Sequence, residues 1–291
     1  MQKKSVRLFG SALLTSVFLY FLAGSFAWAG VRIDKPKIRL STAPGSYDSG
    51  EINVENIGDE AADIHVYLED WIYSKQDVSK EFLPKGTNRL SCSNWINFYP
   101  ADFTLKPKTS QKLRYTVTVP EGVQGGHFSV MFFETGGGTI EQANEKGESV
   151  SVKVYNRLGA LFYVEPQGTV KKSGEIKNIK VDQKLNDLTV ELDFLNTGNT
   201  DITAKGTFNV IDQEGYVYAR GEFDPVYTFP DGKAFLRGVA NSVSLKSKDY
   251  DLVVTLEFEN GGSLVREASF RVSSNGVITL LNTNQPQESS V

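Results

Sequence analysis

Alternating apolar and polar residues dominate the chain after residue 29. Apolar side chains occupy every second position in six segments: 113–119, 128–132, 150–154, 188–194, 252–258 and 268–272. A period of two is typical of half-buried antiparallel strands. Turn sequences such as Pro230-Asp231-Gly232 separate these segments,. Regularly spaced strands without helical periodicity predict an all-β protein of the sandwich or barrel type.

A short motif, Asn-x-Gly, occurs twice in the same context. Asn56-Ile57-Gly58 and Asn196-Thr197-Gly198 each end one alternating segment and precede another, and the two copies lie 140 residues apart. The same strand–turn–strand sequence in both halves of the chain predicts two β-sandwich domains in tandem. The motif is interpreted as a mark of architecture, without a binding role.

The boundary between the domains is predicted at Glu165-Pro166-Gln167-Gly168, where proline and glycine end a strand,. The first domain is then 30–165 and the second 168–274. The polar residues that follow, 275–291, are interpreted as a tail. Two segments, 74–93 and 135–148, are predicted to be long loops, and the second, which contains three consecutive glycines, is interpreted as a flexible flap.

The first 29 residues have the features of an export signal. A basic start is followed by an uncharged run, and Ala27-Trp28-Ala29 fits the small-x-small rule for cleavage,. The sequence therefore predicts a cleaved signal peptide over residues 1–29 and a periplasmic or otherwise exported protein. The alternative is an uncleaved membrane anchor, because an uncharged run of this length could span a bilayer.

Charge and cysteine content narrow the classes of partner. The net charge is −4 and no basic cluster is present, which argues against nucleic acid as a partner,. Cys92 is the only cysteine, so an internal disulfide is impossible,. It is predicted to be a small, partly buried apolar residue, and an intermolecular disulfide is the alternative.

No residues form a convincing catalytic, metal or cofactor site. The two histidines, His65 and His127, lack local ligand spacing, and Cys92 has no second cysteine,. No Gly-x-Ser-x-Gly elbow is present, and the run Gly136-Gly137-Gly138 lacks the ending of a phosphate-binding loop. The sequence therefore predicts a protein that is not an enzyme and has no cofactor.

Aromatic residues cluster between positions 71 and 99. Two interpretations are open, a platform for carbohydrate and packing within and between the sheets. The residues are Trp71, Tyr73, Trp95, Phe98 and Tyr99.

The first domain resembles the amino-terminal immunoglobulin-like domain of periplasmic chaperones of the chaperone–usher pilus pathway. The resemblance rests on the order and spacing of four pieces across residues 31–166. They are 31–38, the first Asn-x-Gly strand pair, Phe103-Thr104-Leu105-Lys106-Pro107 leading into 113–119, and 150–155 followed by Leu161-Phe162-Tyr163.

The resemblance implies that the protein binds fimbrial or other surface-fibre subunits by donating a β-strand. In this mode of recognition, backbone hydrogen bonds supply affinity and alternate side chains fill the partner's groove. The donor strand would be residues 149–155, with Val150, Val152 and Val154 as the inserted side chains. The alternative is that these valines fill the protein's own core. An outer-membrane usher is a further possible partner.

The resemblance also implies two basic residues that hold the subunit's terminal carboxylate in the cleft between the domains. The first falls on Lys37. The second should directly precede Leu161, but Ala160 occupies that position, and Arg157 is the nearest cation. A shift of three residues reverses the strand face, unless a bulge at Gly159 restores it.

The second domain resembles generic immunoglobulin-like modules of bacterial surface proteins, on residues 188–198 and 208–215. Together the two resemblances predict two tandem immunoglobulin-like β-sandwiches. The second resemblance implies a different function, in which the protein is a structural or adhesive component of the cell envelope that binds peptidoglycan or a surface partner.

Overall fold

The computed structural model describes residues 30–74, 79–143, 149–259 and 261–283, without the side chains of 140–143 and 283. The predicted signal peptide lies outside the described residues. The prediction of an all-β fold with two tandem immunoglobulin-like sandwiches is confirmed. None of the described elements is a helix with the length and apolarity that a membrane crossing requires.

Ten strands and one turn of 3₁₀ helix, Ser93–Trp95, build the first sandwich. The strands are β1 (Val31–Ile33), β2 (Lys37–Thr42), β3 (Tyr47–Asn56), β4 (Ala62–Tyr73), β5 (Lys80–Leu83), β6 (Ile96–Tyr99), β7 (Asp102–Leu105), β8 (Ser110–Thr118), β9 (His127–Ala143) and β10 (Ser149–Pro166). One sheet has the order β1-β3-β8-β6. The other has the order β2-β10-β9-β4-β5, with β7 also paired to β4.

Eight strands build the second sandwich as one continuous sheet with the order β11-β12-β15-β14-β13-β16-β17-β18. They are β11 (Gly174–Lys184), β12 (Asp187–Asn196), β13 (Ile202–Asp212), β14 (Val217–Thr228), β15 (Lys233–Ala240), β16 (Asp249–Phe258), β17 (Ser263–Val272) and β18 (Ile278–Thr283). The sheet folds around a core to which alternate residues of the strands contribute, among them Leu192, Phe208 and Leu252.

The alternation in the sequence corresponds to burial in the strands. In β12 every second residue is buried, and in β8 Leu113, Tyr115 and Val117 are buried between more exposed neighbours. Successive side chains of a strand point to opposite faces, so one apolar row per strand is enough to fill the space between two sheets. These rows form the cores of the two sandwiches.

Both copies of the Asn-x-Gly motif form the same turn. Asn56 and Asn196 are fully buried. The side-chain oxygen of each accepts the backbone N–H of the glycine two residues later, at 2.9 Å in both cases. Each side-chain nitrogen donates to a carbonyl four residues later, that of Glu60 or Thr200. The side chain thereby replaces backbone pairing at the turn, which is why a short amide recurs there.

The loop predicted over 135–148 is wrong for residues 135–143, because β9 continues to Ala143 and pairs with β10 from Ser149 onwards. The remainder, 144–148, lies outside the described residues. The glycine run is accommodated by a register shift opposite Val154 and Tyr155. Continuous pairing with β10 outweighs the weak strand propensity of glycine.

Two other segments contain strands that the alternation in the sequence does not indicate. Residues 80–83, within the predicted loop 74–93, form β5 and pair with β4. Residues 278–283, within the predicted polar tail, form β18 and pair with β17. Each is a short strand at a sheet edge, where only one flank needs a partner and alternation in the sequence is weak.

Cys92 is free and fully buried in the first core, and burial raises the pKa of its thiol to about 12. This agrees with its interpretation as a small apolar residue. The aromatic residues do not form one platform, because Trp71 is fully buried whereas Tyr99 is 79% exposed. Trp95 packs against the ring of His127, with 4.4 Å between the centroids.

We expect Asn196→Ala to lower the free energy of unfolding by about 1–3 kcal/mol, since it leaves the buried N–H and carbonyl groups of the turn unpaired. Chemical denaturation monitored by circular dichroism would measure this. The exposed Asn97 provides the matched control, and Asn97→Ala should change stability by less than about 0.5 kcal/mol. Equal effects of the two substitutions would contradict the structural role of the motif.

His127 should make stability depend on pH. The side chain is buried and neither ring nitrogen has a hydrogen-bond partner among the described residues. Burial lowers its pKa, an effect that the nearby carbonyls of Ser91 and Gln124 offset only in part. The unfolded chain therefore binds this proton more readily than the folded chain, and its contribution to stability is complete above a pH of about 6.5 and is lost as the pH falls below it.

Guanidinium unfolding at pH 7.5, 6.5 and 5.5 would measure this loss, which for one group is at most about 1.4 kcal/mol per pH unit. His127→Phe should flatten the dependence over this range. His65→Phe, which changes the other histidine, should retain it. A dependence unchanged in His127→Phe would refute the assignment.

Candidate binding site

The long strand β10 has an open edge over much of its length. It pairs with β9 from Ser149 to Val164, but on its other side β2 pairs only with Leu161–Pro166. Among the described strands, none covers the second side of residues 150–160. The hairpin of β9 and β10 therefore projects from the body of the sandwich with a free strand edge.

Backbone groups on this edge are available for pairing. The N–H of Leu161 donates to the carbonyl of Pro36 at 2.9 Å, so this residue points its backbone groups toward β2. Because these directions alternate along a strand, the odd-numbered residues before Leu161 point theirs toward the open side. An extended segment could add there as a further strand, in continuation of β2.

The three predicted valines lie on the core-facing side of this projecting strand. Leu158, Ala160 and Phe162 belong to the first core, and even-numbered positions continue the same face back to Val154, Val152 and Val150. Val150 is 44% and Val152 41% exposed, and Val154 is half-buried. The apolar row of the core thus extends beyond the core, so the alternative that these valines fill it does not describe Val150 and Val152.

Lys37 begins β2, on the face opposite the first core. Its side chain is 45% exposed, and its Nζ lies 3.8 Å from a carboxylate oxygen of Glu259, which belongs to the second sandwich. The same Nζ is 5.0 Å from the centroid of the Tyr163 ring. Lys37 therefore stands at the cleft between the sandwiches, held by one long ion pair.

The structure does not bring Arg157 to Lys37. Lys37 pairs with Leu161, and Arg157 precedes Leu161 by four positions, or about 13 Å along the strand,. The guanidinium of Arg157 lies over Phe132, 4.3 Å from the ring centroid, and 3.5 Å from Glu69. A hydrogen bond with Tyr67 raises the pKa of Arg157, with the carboxylates of Glu69 and Glu134 adding to it.

The alternative that a bulge at Gly159 restores the face of Arg157 is wrong. Gly159 pairs in continuous register with Phe132, and the shift in this strand pair lies between Val154 and Tyr155. A Cβ at Gly159 would lie 3.0 Å from Val130 and 3.2 Å from Phe132. The glycine therefore provides close packing on the outer face instead of a change of face.

Arg39 is the cation that ties the cleft together. Its guanidinium makes two hydrogen bonds to Asp201, at 3.0 and 2.7 Å, and one to Glu165 at 2.6 Å. Burial by itself lowers the pKa of Arg39, but the bond to Asp201 and the charges of Asp201 and Glu165 raise it. Because the partners lie 126 and 162 positions away, no local pattern in the sequence could identify this cluster.

The cleft contains a second cation, Lys172, that no pattern in the sequence indicated. Lys172 lies in the segment between β10 and β11, and its Nζ donates to the backbone carbonyl of Glu259. Burial lowers its pKa, although the carboxylates of Glu165 and Asp201 oppose this effect. The side chains of Lys37 and Lys172 therefore both reach Glu259.

Aromatic rings pack where the two sandwiches meet. Phe229, from the second sandwich, stacks on Phe128 with 4.1 Å between the centroids. It also contacts Trp71 at 4.8 Å and Tyr73 at 5.0 Å. Tyr163 adjoins this group, and burial raises its pKa. Trp71, Phe128 and Phe229 are all buried, so water is excluded from this part of the interface.

Backbone contacts add to this interface. The carbonyl of Asn199 accepts the N–H of Gly126 at 2.8 Å, and its side chain donates to the carbonyl of Thr169. A Cβ at Gly125, whose φ is +77°, would lie 2.4 Å from the carbonyl oxygen of Asn199. Only glycine allows this close approach of the two sandwiches.

A metal site is not found in the described ranges, where no three His, Cys, Asp or Glu residues are placed to hold an ion. His65 and Asp102 pair at 2.7 Å beside a groove of about 500 Å³, and both side chains are more than half exposed.

Three comparisons with known proteins gave results for solved structures alone. No family model and no curated protein matches the sequence. The chain is similar in structure to fimbrial chaperones. A chain from "Chaperone-tip adhesin complex is vital for synergistic activation of CFA/I fimbriae biogenesis" is 14% identical with a TM-score of 0.47, and the match covers 88% of this chain and 100% of that one.

Two further solved structures come from complexes. One, of the Salmonella enterica SafA pilin with the SafB chaperone, matches at 12% identity and a TM-score of 0.38, over 80% of this chain and 92% of that one. The other is the CsuC–CsuE pre-assembly complex of Acinetobacter baumannii Csu pili. It matches at 12% identity and a TM-score of 0.40, over 82% of this chain and 98% of that one. At these identities and TM-scores the similarity carries no argument about function.

We expect Phe229→Ala to uncouple the two sandwiches. The substitution removes a ring that contacts three aromatic residues of the first sandwich, at a cost of about 3 kcal/mol. Differential scanning calorimetry should then show two separated transitions. The control is Phe235→Ala, at a phenylalanine that is 57% exposed on the same sandwich, and it should leave the thermogram unchanged. An unaltered thermogram for Phe229→Ala would show that the cluster does not couple the sandwiches.

Proposed function

We propose that this is a non-enzymatic, exported, chaperone-like protein that binds fimbrial or other surface-fibre subunits by donating a β-strand. The proposal rests on one observation: β10 projects with an open edge and a row of three valines in line with the core, of which Val150 and Val152 are exposed. A strand of this kind satisfies the two requirements of β-augmentation, which are free backbone groups and alternate apolar side chains.

An exposed apolar strand edge is normally avoided, because it invites pairing with other chains. Proteins blunt such edges with charges, proline or covering loops. On the face toward the core, Val150, Val152 and Val154 present only apolar side chains. The energetic cost of keeping this row in water is understandable if a partner covers it, since burying the exposed part of Val150 or Val152 contributes about 1 kcal/mol each,.

Lys37 is the proposed anchor for a terminal carboxylate of the subunit. It lies in the cleft, its ammonium is accessible, and its single long ion pair with Glu259 is weak,. A closer carboxylate would form a charge-assisted hydrogen bond there. That Arg157 is a second anchor stays a prediction, although its contact with Phe132 places it where it stabilises the outer face of the sheet.

Two other predictions also stay untested: that an usher is a further partner, and the alternative that the protein binds peptidoglycan.

Co-purification tests the donated strand. The mature chain would be expressed with the fimbrial subunits encoded in the same genome, and captured subunit would be quantified. Val152→Glu should reduce capture about 100-fold, because it places a carboxylate in an apolar groove. Val217→Glu is the matched control, since Val217 is 56% exposed on a strand of the second sandwich, and it should capture normally.

Lys37→Ala should reduce capture about tenfold through loss of one charge-assisted bond, while Lys171→Ala, at an exposed lysine nearby, should not. If no subunit is captured by the unaltered chain, or if Val152→Glu captures as well as Val217→Glu, strand donation is not the function of β10.

A further inference from the structure

The cleft between the sandwiches contains three cationic side chains, which differ in how strongly each is already paired with a carboxylate. Arg39 is already neutralised, because it bonds Asp201 through two nitrogens and Glu165 through one. Lys37 has only the long contact with Glu259. Lys172 donates to a carbonyl and forms no ion pair within 4 Å among the described residues. Two of the three ammonium and guanidinium groups are therefore available to an anion.

Glu259 is the residue that both available lysines reach. It directly follows β16 on the second sandwich, and its side chain is 50% exposed. Its carboxylate faces Lys37 and its backbone carbonyl accepts from Lys172. An exposed ion pair at 3.8 Å contributes little free energy, so a better-placed carboxylate can replace it.

The charges of the cleft support this exchange. With Glu259 in place, Lys37, Arg39 and Lys172 are balanced by three carboxylates, the other two being Glu165 and Asp201. If Glu259 turns away, the cleft keeps one positive charge in excess. Lys172 is partly desolvated, so it gains more from a new anionic partner than a fully solvated lysine does,.

We infer that Lys172 is the second cation of a carboxylate-binding site with Lys37, and that Glu259 occupies this site in the free protein until the terminal carboxylate of a bound polypeptide displaces it. The inference rests on the proposed function for its partner. It assigns the second cation to the segment between the sandwiches, where residues of both meet, instead of to β10.

The site can be tested without a subunit. The probe is the tripeptide N-acetyl-Gly-Ala-Ala with a free carboxylate, compared with the same peptide ending in an amide. Titrations would follow the backbone resonances of the ¹⁵N-labelled full protein, whose spectrum also reports whether each variant is folded. The acid should shift resonances around Lys37 and Lys172, and the amide should not.

Two pairs of variants then separate the roles. Glu259→Gln should tighten binding of the acid about two- to fivefold, because it removes the competing carboxylate, and its control Glu257→Gln should not. Glu257, near the end of β16, makes a similar 3.8 Å pair with Lys205 of the neighbouring strand β13. Lys172→Gln should weaken binding about fivefold or more, and Lys171→Gln should leave it unchanged.

Equal shifts with acid and amide, unchanged affinity in Glu259→Gln, or a Lys172→Gln variant that binds as well as Lys171→Gln would each overturn the inference. Val152→Glu should bind the tripeptide normally. If that variant loses subunit capture but still binds the peptide, the result supports strand donation and leaves the carboxylate site intact. If the unaltered chain captures subunits but does not bind the peptide, the carboxylate site is refuted and strand donation stands.

Discussion

The arrangement of the cleft depends on one partly buried contact, the pairing of Arg39 with Asp201. It joins β2 of the first sandwich to the second sandwich through two hydrogen bonds. A desolvated guanidinium costs several kcal/mol unless its partner is well placed, so the pair resists any rotation that would separate its members. Its main effect is to fix orientation, since a buried ion pair contributes little net stability.

Other features of the cleft follow from that orientation. Lys37 lies two positions before Arg39 on the same face of β2, and the contact of Lys37 with Glu259 exists because the second sandwich is held in place. Phe229 of the second sandwich packs into the aromatic cluster of the first. Polar pairing thus sets the angle between the sandwiches, and apolar burial stabilises it. The close approach at Gly125 and Gly126 leaves little room for sliding.

Strand β10 changes its role along its length. Near Pro166 it is an interior strand between β2 and β9, with Phe162 in the core and Tyr163 at the cleft. Near Val150 it is an edge with exposed valines. Both ends have the same alternation, because side-chain direction depends only on position along a strand. Whether an apolar row becomes core or surface depends on whether another sheet lies opposite it.

The strand pattern and the tandem repeat of the Asn-x-Gly turn could be predicted, because each reflects interactions between residues close in sequence. Prediction failed where pairing with a distant strand overrode local propensity, as at the glycine run in β9 and in the short strands β5 and β18. For the candidate site, the valines and Lys37 were predicted by position in a resemblance. Lys172, Glu259 and the Arg39 cluster could not be, because their partners are far apart in the chain.

The sequence by itself determined that this protein is made of alternating strands in two similar sandwiches, since the period of two and the turn residues act over a few positions. The tertiary structure alone decided that β10 has an open edge and that Arg157 lies on the outer face, away from Lys37. It also decided that Lys37 and Lys172 share Glu259. These features depend on which surfaces of the two sandwiches meet, and that is set by burial and charge pairing summed over distant residues.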